Sequence, residues 1–211
     1  MACMDSANVP LRIWFIDTGE KGQIATTLAI GKKQDDPMFS DSPWCRNLKD
    51  DLTQIKLLDK YISSAGKTVD LRGDSWNRNP ITTIISVLTI KELQQLEIEG
   101  LKEGIPEDEG FEWIGVESWP DATVPEPKFL HDWGEIKDRI LQTIKEGDNV
   151  LIHCKGGLSR TGALSAIILN GLGLPIDKAI SKFREVRGKD RSDDDLLIQE
   201  HQEKWLERNF S

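Results

Sequence analysis

Two hydrophobic periods alternate along the chain. Short apolar runs at Leu11–Ile16 and Ile24–Ile30, with Gly19 and Gly22 between them, read as strands, although the second could also begin a helix. Ile81–Leu88 (ITTIISVL) is β-branched and short, as a buried strand should be, Phe111–Glu117 (FEWIGVE) alternates, and Asn149–Ile152 (NVLI) is a third short run. Between them the period changes to 3.6. Asn47 is placed to cap a helix whose apolar positions Leu48, Leu52, Ile55, Leu58 and Ile62 repeat until Gly66. Thr89 with Glu92 forms a T-x-x-E capping box, and residues 126–145 put Phe129, Trp133, Ile136, Ile140 and Ile144 on one face until Gly147 ends the helix. Leu164, Ile167, Ile168, Leu169 and Leu172 mark a mostly buried helix, Pro175 suits the first turn of another reaching about Arg187, and Ser192 with Asp195 caps a last one to about Asn209. Gly31–Pro43, Arg72–Pro80 and Gly100–Gly110 read as loops. Strands alternating with helices predict an α/β fold, a largely parallel central sheet flanked by helices, with the ligand site at the carboxyl ends of the strands.

Composition bounds this picture. The 211 residues are 38% hydrophobic and 30% charged, which excludes disordered and fibrous classes and suits one domain over 1–211. No apolar run approaches the roughly 18–20 residues of a membrane span, and the N-terminus lacks the pattern of a secretory signal, so a cytoplasmic protein with no membrane attachment is expected. The net charge of −9 opposes binding to nucleic acid, so any anion site must be local. Cysteines stand only at 3, 45 and 154, with no C-x-x-C pair. Neither a disulfide framework nor a metal site is expected.

The short strand ending at Ile152 runs into HCKGGLSRTG, and that loop carries the chemistry. Arg160 follows Cys154 by six positions, Gly156 and Gly157 lie between, and a helix begins at the end. The backbone amides of Lys155, Gly156, Gly157, Leu158 and Ser159 can turn inward as an anion cradle at a helix N-terminus, and Arg160 can add a two-pronged clamp on phosphate oxygens. The same field favours thiolate over thiol and makes Cys154 a nucleophile. Thr161 can donate to the sulfur or simply sit in the first helical turn. His153 is expected to hydrogen-bond the loop backbone and not to transfer protons. Lys155 either adds charge for a doubly anionic substrate or is a solvated loop lysine.

HCKGGLSRTG resembles the HCxxGxxR[ST]G signature of the cysteine-dependent protein phosphatases, within the protein-tyrosine and dual-specificity superfamily. GQIATTLAIGKK, the run Trp44–Leu52, ITTIISVLTIKEL and VESWPDATVPE are similar, in order, to segments of the kinase-associated group of dual-specificity phosphatases. The resemblance implies a phosphatase-like fold and metal-free hydrolysis of phosphomonoesters through a phosphocysteine, with no cofactor. It makes Cys154 the nucleophile and Arg160 the phosphate clamp. A general acid is needed as well, and SWPDATVP at Ser118–Pro125 offers Asp121, with Glu126 and Asp132 as competitors. Gln202 resembles a glutamine that positions water in some relatives, Gln199 is its rival, and a solvated helix face is the plainer reading. Two features depart from the group: an insertion around 57–80, able to shape substrate access, and Lys155, which also follows the cysteine in phosphoinositide and mitotic-exit phosphatases.

The leading expectation is a phosphatase acting on phosphotyrosine, and on phosphoserine or phosphothreonine as further candidates, in a protein or peptide. Alternatives are a scaffold module that holds a phosphorylated partner without processing it, a phosphatase of inositol lipid or RNA 5′-phosphate, and a sulfurtransferase or arsenate reductase built on the same anion loop. Oligomeric state is not legible in the sequence.

Overall fold

A computed structural model describes residues 3–34, 43–98, 101, 105, 109–188 and 197–210. In chain order the elements are β1 (Arg12–Asp17), β2 (Gln23–Thr27), β3 (Lys33–Gln34), β4 (Trp44–Cys45), α1 (Leu48–Leu57), β5 (Asp70–Gly73), β6 (Ile81–Ser86), α2 (Ile90–Gln95), β7 (Glu112–Gly115), α3 (Lys128–Glu146), β8 (Asn149–His153), α4 (Ser159–Gly171), α5 (Ile176–Gly188) and α6 (Glu200–Phe210). Six strands form the central sheet in the order β5-β1-β2-β8-β6-β7. All neighbouring pairs are parallel except β1 with β2, which run antiparallel. The expected α/β architecture with a largely parallel sheet is therefore what the chain adopts.

The strand alternation explains the layers. Trp14, Ile16, Ile24, Ile85, Val150 and Ile152 face one way and pack against α3, α4, α5 and α6. Ile13, Phe15, Ala25, Ile84 and Leu151 face the other way and meet Leu52 and Ile55 of α1 and Leu93 of α2. Both faces of β8 are covered, so all five of its residues are buried without alternation, as in a central parallel strand.

Most element ends behave as the sequence indicates. Asn47 accepts from the Asp50 amide at 3.1 Å, Thr89 and Glu92 close their capping box, and Gly147 ends α3 with φ of 118°. Four expectations need correction. The helix after Asn47 does not reach Gly66: it stops at Leu57, where Leu58 turns to φ of 42°, and Ile62 is exposed. The presumed loop from Arg72 begins inside a strand, because β5 extends the sheet by pairing with β1. Within the same insertion, Asn77 and Asn79 bind Asn149 at the start of β8, the end remote from Cys154. Cys3 and Cys45 are joined as a disulfide with Cα atoms 6.0 Å apart, so a cross-link exists where none was expected. Finally, the loop over Gly31–Pro43 holds β3, which pairs antiparallel with β4. The cap at Ser192 and Asp195 lies outside the described residues, as does most of Gly100–Gly110. No helix among the described residues is long and apolar enough to cross a membrane.

Beside the small β3–β4 sheet, Arg46 donates to both carboxylate oxygens of Asp51 at 2.7 and 2.8 Å, with both side chains fully buried. Asp51 also accepts the Gly31 amide at 2.9 Å, and Arg46 reaches the Val9 carbonyl at 2.7 Å. The pair thus ties three segments together. Removing one partner strands a buried charge, so Asp51→Ala should cost about 3–5 kcal/mol, read as a lowered urea midpoint, whereas Arg12→Ala, which breaks a half-exposed pair, should cost about 1 kcal/mol or less.

Candidate active site

β8 delivers Cys154 to the carboxyl edge of the sheet, and α4 begins five residues later. The intervening turn is possible only with glycine at 157. Its φ is +70°, and a Cβ there would lie 2.2 Å from the Thr27 carbonyl oxygen. Its own carbonyl accepts from Arg187 of α5 at 2.8 Å, and the Lys155 carbonyl accepts from Ala29 at 3.3 Å. With those carbonyls drawn outward, the amides of Gly156, Gly157, Leu158 and Ser159 donate no hydrogen bond among the described residues. The first turn of α4 adds its own orphan amides. Lys155 to Ser159 thus make a tight turn, the candidate cradle, beside a free, buried Cys154.

Arg160 enters this cradle from the first turn of α4, wholly buried. Glu92 of α2 holds it from behind through two bonds, Nη1 to Oε2 at 2.8 Å and Nη2 to Oε1 at 2.6 Å. Nη1 also donates to the Trp119 carbonyl at 3.1 Å, and Nη2 to Asp121 Oδ1 at 3.0 Å. Its Nε is buried and makes no hydrogen bond. Burial opposes the charge on both partners, yet the pair wins: Glu92 titrates below its ordinary value, helped by Arg160 and by Thr89, and Arg160 stays above its own.

Asp121 lies on the loop after β7 and is about half exposed. The loop is anchored by its neighbour Trp119, fully buried, whose ring meets Phe129 edge-on at 5.0 Å and Trp205 at 6.0 Å. Trp119 Nε1 donates to the Thr123 carbonyl at 2.9 Å, and Ala122 between them takes a left-handed φ of 54°. Of the three acids considered from sequence, Asp121 is the one joined to Arg160. Asp132 instead faces Lys128 and Ser118.

Three expectations change here. Gln202 is not on a solvated face: it is fully buried, accepts from Ser159 Oγ at 2.7 Å and donates to the Thr123 carbonyl at 2.9 Å, so it spans the cysteine loop and the acid loop. Gln199 donates its backbone amide to Gln202 and carries no such bridge. Thr161 does not donate to sulfur; its Oγ1 is buried without a hydrogen bond, because the helical turn it occupies fixes it inside α4. His153 makes no well-formed hydrogen bond through either ring nitrogen, only a weak interaction with the Cys154 backbone of the loop. Burial in the sheet pushes it down to about 4, with the Arg160 charge acting the same way and the Cys154 backbone opposing. Glu92, Trp119 and Arg187 were not singled out as site residues. The capping box located Glu92, but nothing in the local sequence joins it to an arginine 68 positions later.

A sequence model of the tyrosine phosphatase family matches residues 67–209. This fold is that of a cysteine-based phosphatase. The chain belongs to the tyrosine phosphatase family. The kinase-associated phosphatase KAP, solved with its catalytic-site cysteine replaced by serine, has a similar structure, with a TM-score of 0.68 at 20% identity over 94% of this chain and 93% of that one. PTPMT1 is also similar, at 0.54 and 17% identity over 92% of each chain. No curated protein sequence matches.

Because His153 is held neutral, its contribution to stability is complete above the unfolded value near 6.5 and is lost as pH falls from there toward about 4. Urea midpoints should therefore drop between pH 7 and 4.5, and His153→Asn should flatten that slope. Gly157→Ala should both lower the midpoint and remove oxyanion binding, read as loss of vanadate protection against alkylation of Cys154.

Proposed function

We propose that the protein hydrolyses phosphomonoesters, with phosphotyrosine in a protein or peptide as its main substrate and phosphoserine or phosphothreonine as further candidates. One observation carries this reading: a fully buried guanidinium, aimed by Glu92, keeps an unbonded Nε–H at the end of a glycine turn whose amides from 156 to 159 have no acceptor among the described residues and which follows a free cysteine. Such a constellation suits a phosphate dianion, which brings acceptors for every orphan donor and charge for the arginine.

In the first step the Cys154 thiolate attacks phosphorus, an S–P bond forms, and the P–O bond to the substrate breaks. Asp121 gives its proton to the departing oxygen. In the second step Asp121 takes a proton from water, whose oxygen attacks phosphorus and releases the thiolate and inorganic phosphate. Arg160 and the amides from Lys155 to Ser159 stabilise the equatorial oxygens in both steps, where charge is greatest. The Asp121–Arg160 contact supports the acid assignment, since it sets the carboxyl beside the group that would hold the phosphate. Gln202, by joining Ser159 to Thr123, fixes the distance between the two loops.

Hydrolysis of an aryl phosphate in EDTA tests the reading. Cys154→Ser should abolish turnover and retain the fold, and full activity in that variant would overturn the proposal. Asp121→Ala should slow phenyl phosphate by about 10²-fold or more, and a nitrophenyl ester with its better leaving group much less.

A further inference from the structure

Glycine at 157 solves one problem of the cysteine loop and creates another. It admits the left-handed turn, with φ of +70°, but without a Cβ it leaves the peptide unit that follows free to face either way. That unit carries the Gly157 carbonyl on one side and the Leu158 amide on the other, because a trans peptide points the two in opposite directions. Its orientation decides whether an anion over the loop meets a donor or a carbonyl oxygen.

The neighbouring unit is fixed by backbone: the Lys155 carbonyl accepts from the Ala29 amide at 3.3 Å, a partner that no side-chain replacement removes. The unit after Gly157 is fixed by a side chain. Arg187 of α5, thirty positions later, donates Nη2 to the Gly157 carbonyl at 2.8 Å, while the Leu158 amide has no acceptor among the described residues. Packing brings Arg187 to this point. Phe183, one turn earlier on α5, closes on Gly162 of α4 so tightly that a Cβ at 162 would fall 2.4 Å from its ring. Gly162 thus lets α5 come close to the start of α4, and Arg187 reaches the loop that precedes it. On β1 the Trp14 ring lies 3.5 Å from the guanidinium, which is almost wholly buried, so a long side chain is held in one geometry.

We infer that Arg187 is a positioning residue for oxyanion binding: by drawing the Gly157 carbonyl toward α5, it turns the Leu158 N–H toward the phosphate oxygens. Its hydrogen bond is charge-assisted and polarises the peptide it holds, which makes that amide a stronger donor. The orientation follows from the bond itself, whatever else the guanidinium touches. The inference rests on the phosphate reading of the loop given above and extends it to a residue outside both the cysteine loop and the acid loop.

Tungstate affinity, measured by calorimetry on the full chain, and turnover of an aryl phosphate test it together. Arg187→Met should weaken tungstate binding by about tenfold or more and lower kcat by about 10²-fold, the loss expected for one oxyanion donor. Arg187→Lys should recover part of both, since its ammonium can donate to the same carbonyl but cannot lie flat on Trp14. Ile180→Val, a change in the buried face of the same helix, should lower the urea midpoint and move neither reading, which separates positioning from mere stability. A smaller loss of tungstate affinity in Arg187→Met, an equal loss in Arg187→Lys, or the same loss in Ile180→Val would end the inference. If Arg187→Met does not fold, Arg187→Gln is read by the same criteria, because its amide stays polar but ends short of the Gly157 carbonyl. A wild-type protein that binds tungstate and hydrolyses no phosphate ester overturns the phosphatase reading alone, and the affinities still decide this one. No tungstate binding by the wild type ends both.

Discussion

Arg160 is the hinge of the whole arrangement. A guanidinium with no exposed surface is costly to bury, and the cost is met by a carboxylate that matches its fork. Glu92 is itself fixed by Thr89 at the start of α2, so a helix cap on one side of the sheet aims the side chain that serves the cysteine on the edge. The rest follows from that constraint. β6 must place α2, β8 must end beside it, and the acid loop must bring the Trp119 carbonyl and Asp121 to the remaining edge of the same guanidinium.

The acid loop shows how packing can replace sequence pattern. Its backbone is held by a large buried ring in a cluster with Phe129 and Trp205, by an indole hydrogen bond, and by Gln202 from α6. An exposed carboxyl is thereby carried on a rigid support. The last helix joins the loop of Cys154 to the loop of Asp121 through Gln202. Of the seven tryptophans, Trp119 and Trp205 serve here, and Trp14 and Trp44 each have a cation over the ring face.

Much of the fold was legible because local rules and tertiary demands agree. Strand β6, the Thr89 box, the stripe of α3 and the strand-loop-helix around Cys154 each carry a period and a stop signal. Where the sequence misled, a local backbone break or a nonlocal contact decided. Leu58 breaks a helix whose apolar spacing continues to Ile62, and β5 is a short, half-exposed edge strand that exists only because β1 offers it a ladder. Glu92 and Arg187 could be seen as a cap and a helix-end cation, but their bonds to Arg160 and Gly157 span 68 and 30 positions. Gln202 looked solvated because the helix around it is polar, and its own position faces inward.

The disulfide between Cys3 and Cys45 has a bearing on redox chemistry. Redox-sensitive thiols commonly survive peroxide by passing from sulfenic acid to a disulfide with a neighbouring thiol in the same chain. Here the only two partners are already spent on each other, and Cys154 stands alone. Once oxidised, it must be restored by a small thiol able to enter the cradle or be shielded by capture on a backbone nitrogen. Peroxide damage and recovery in this molecule are thus governed by the width of the same opening that admits its ligand.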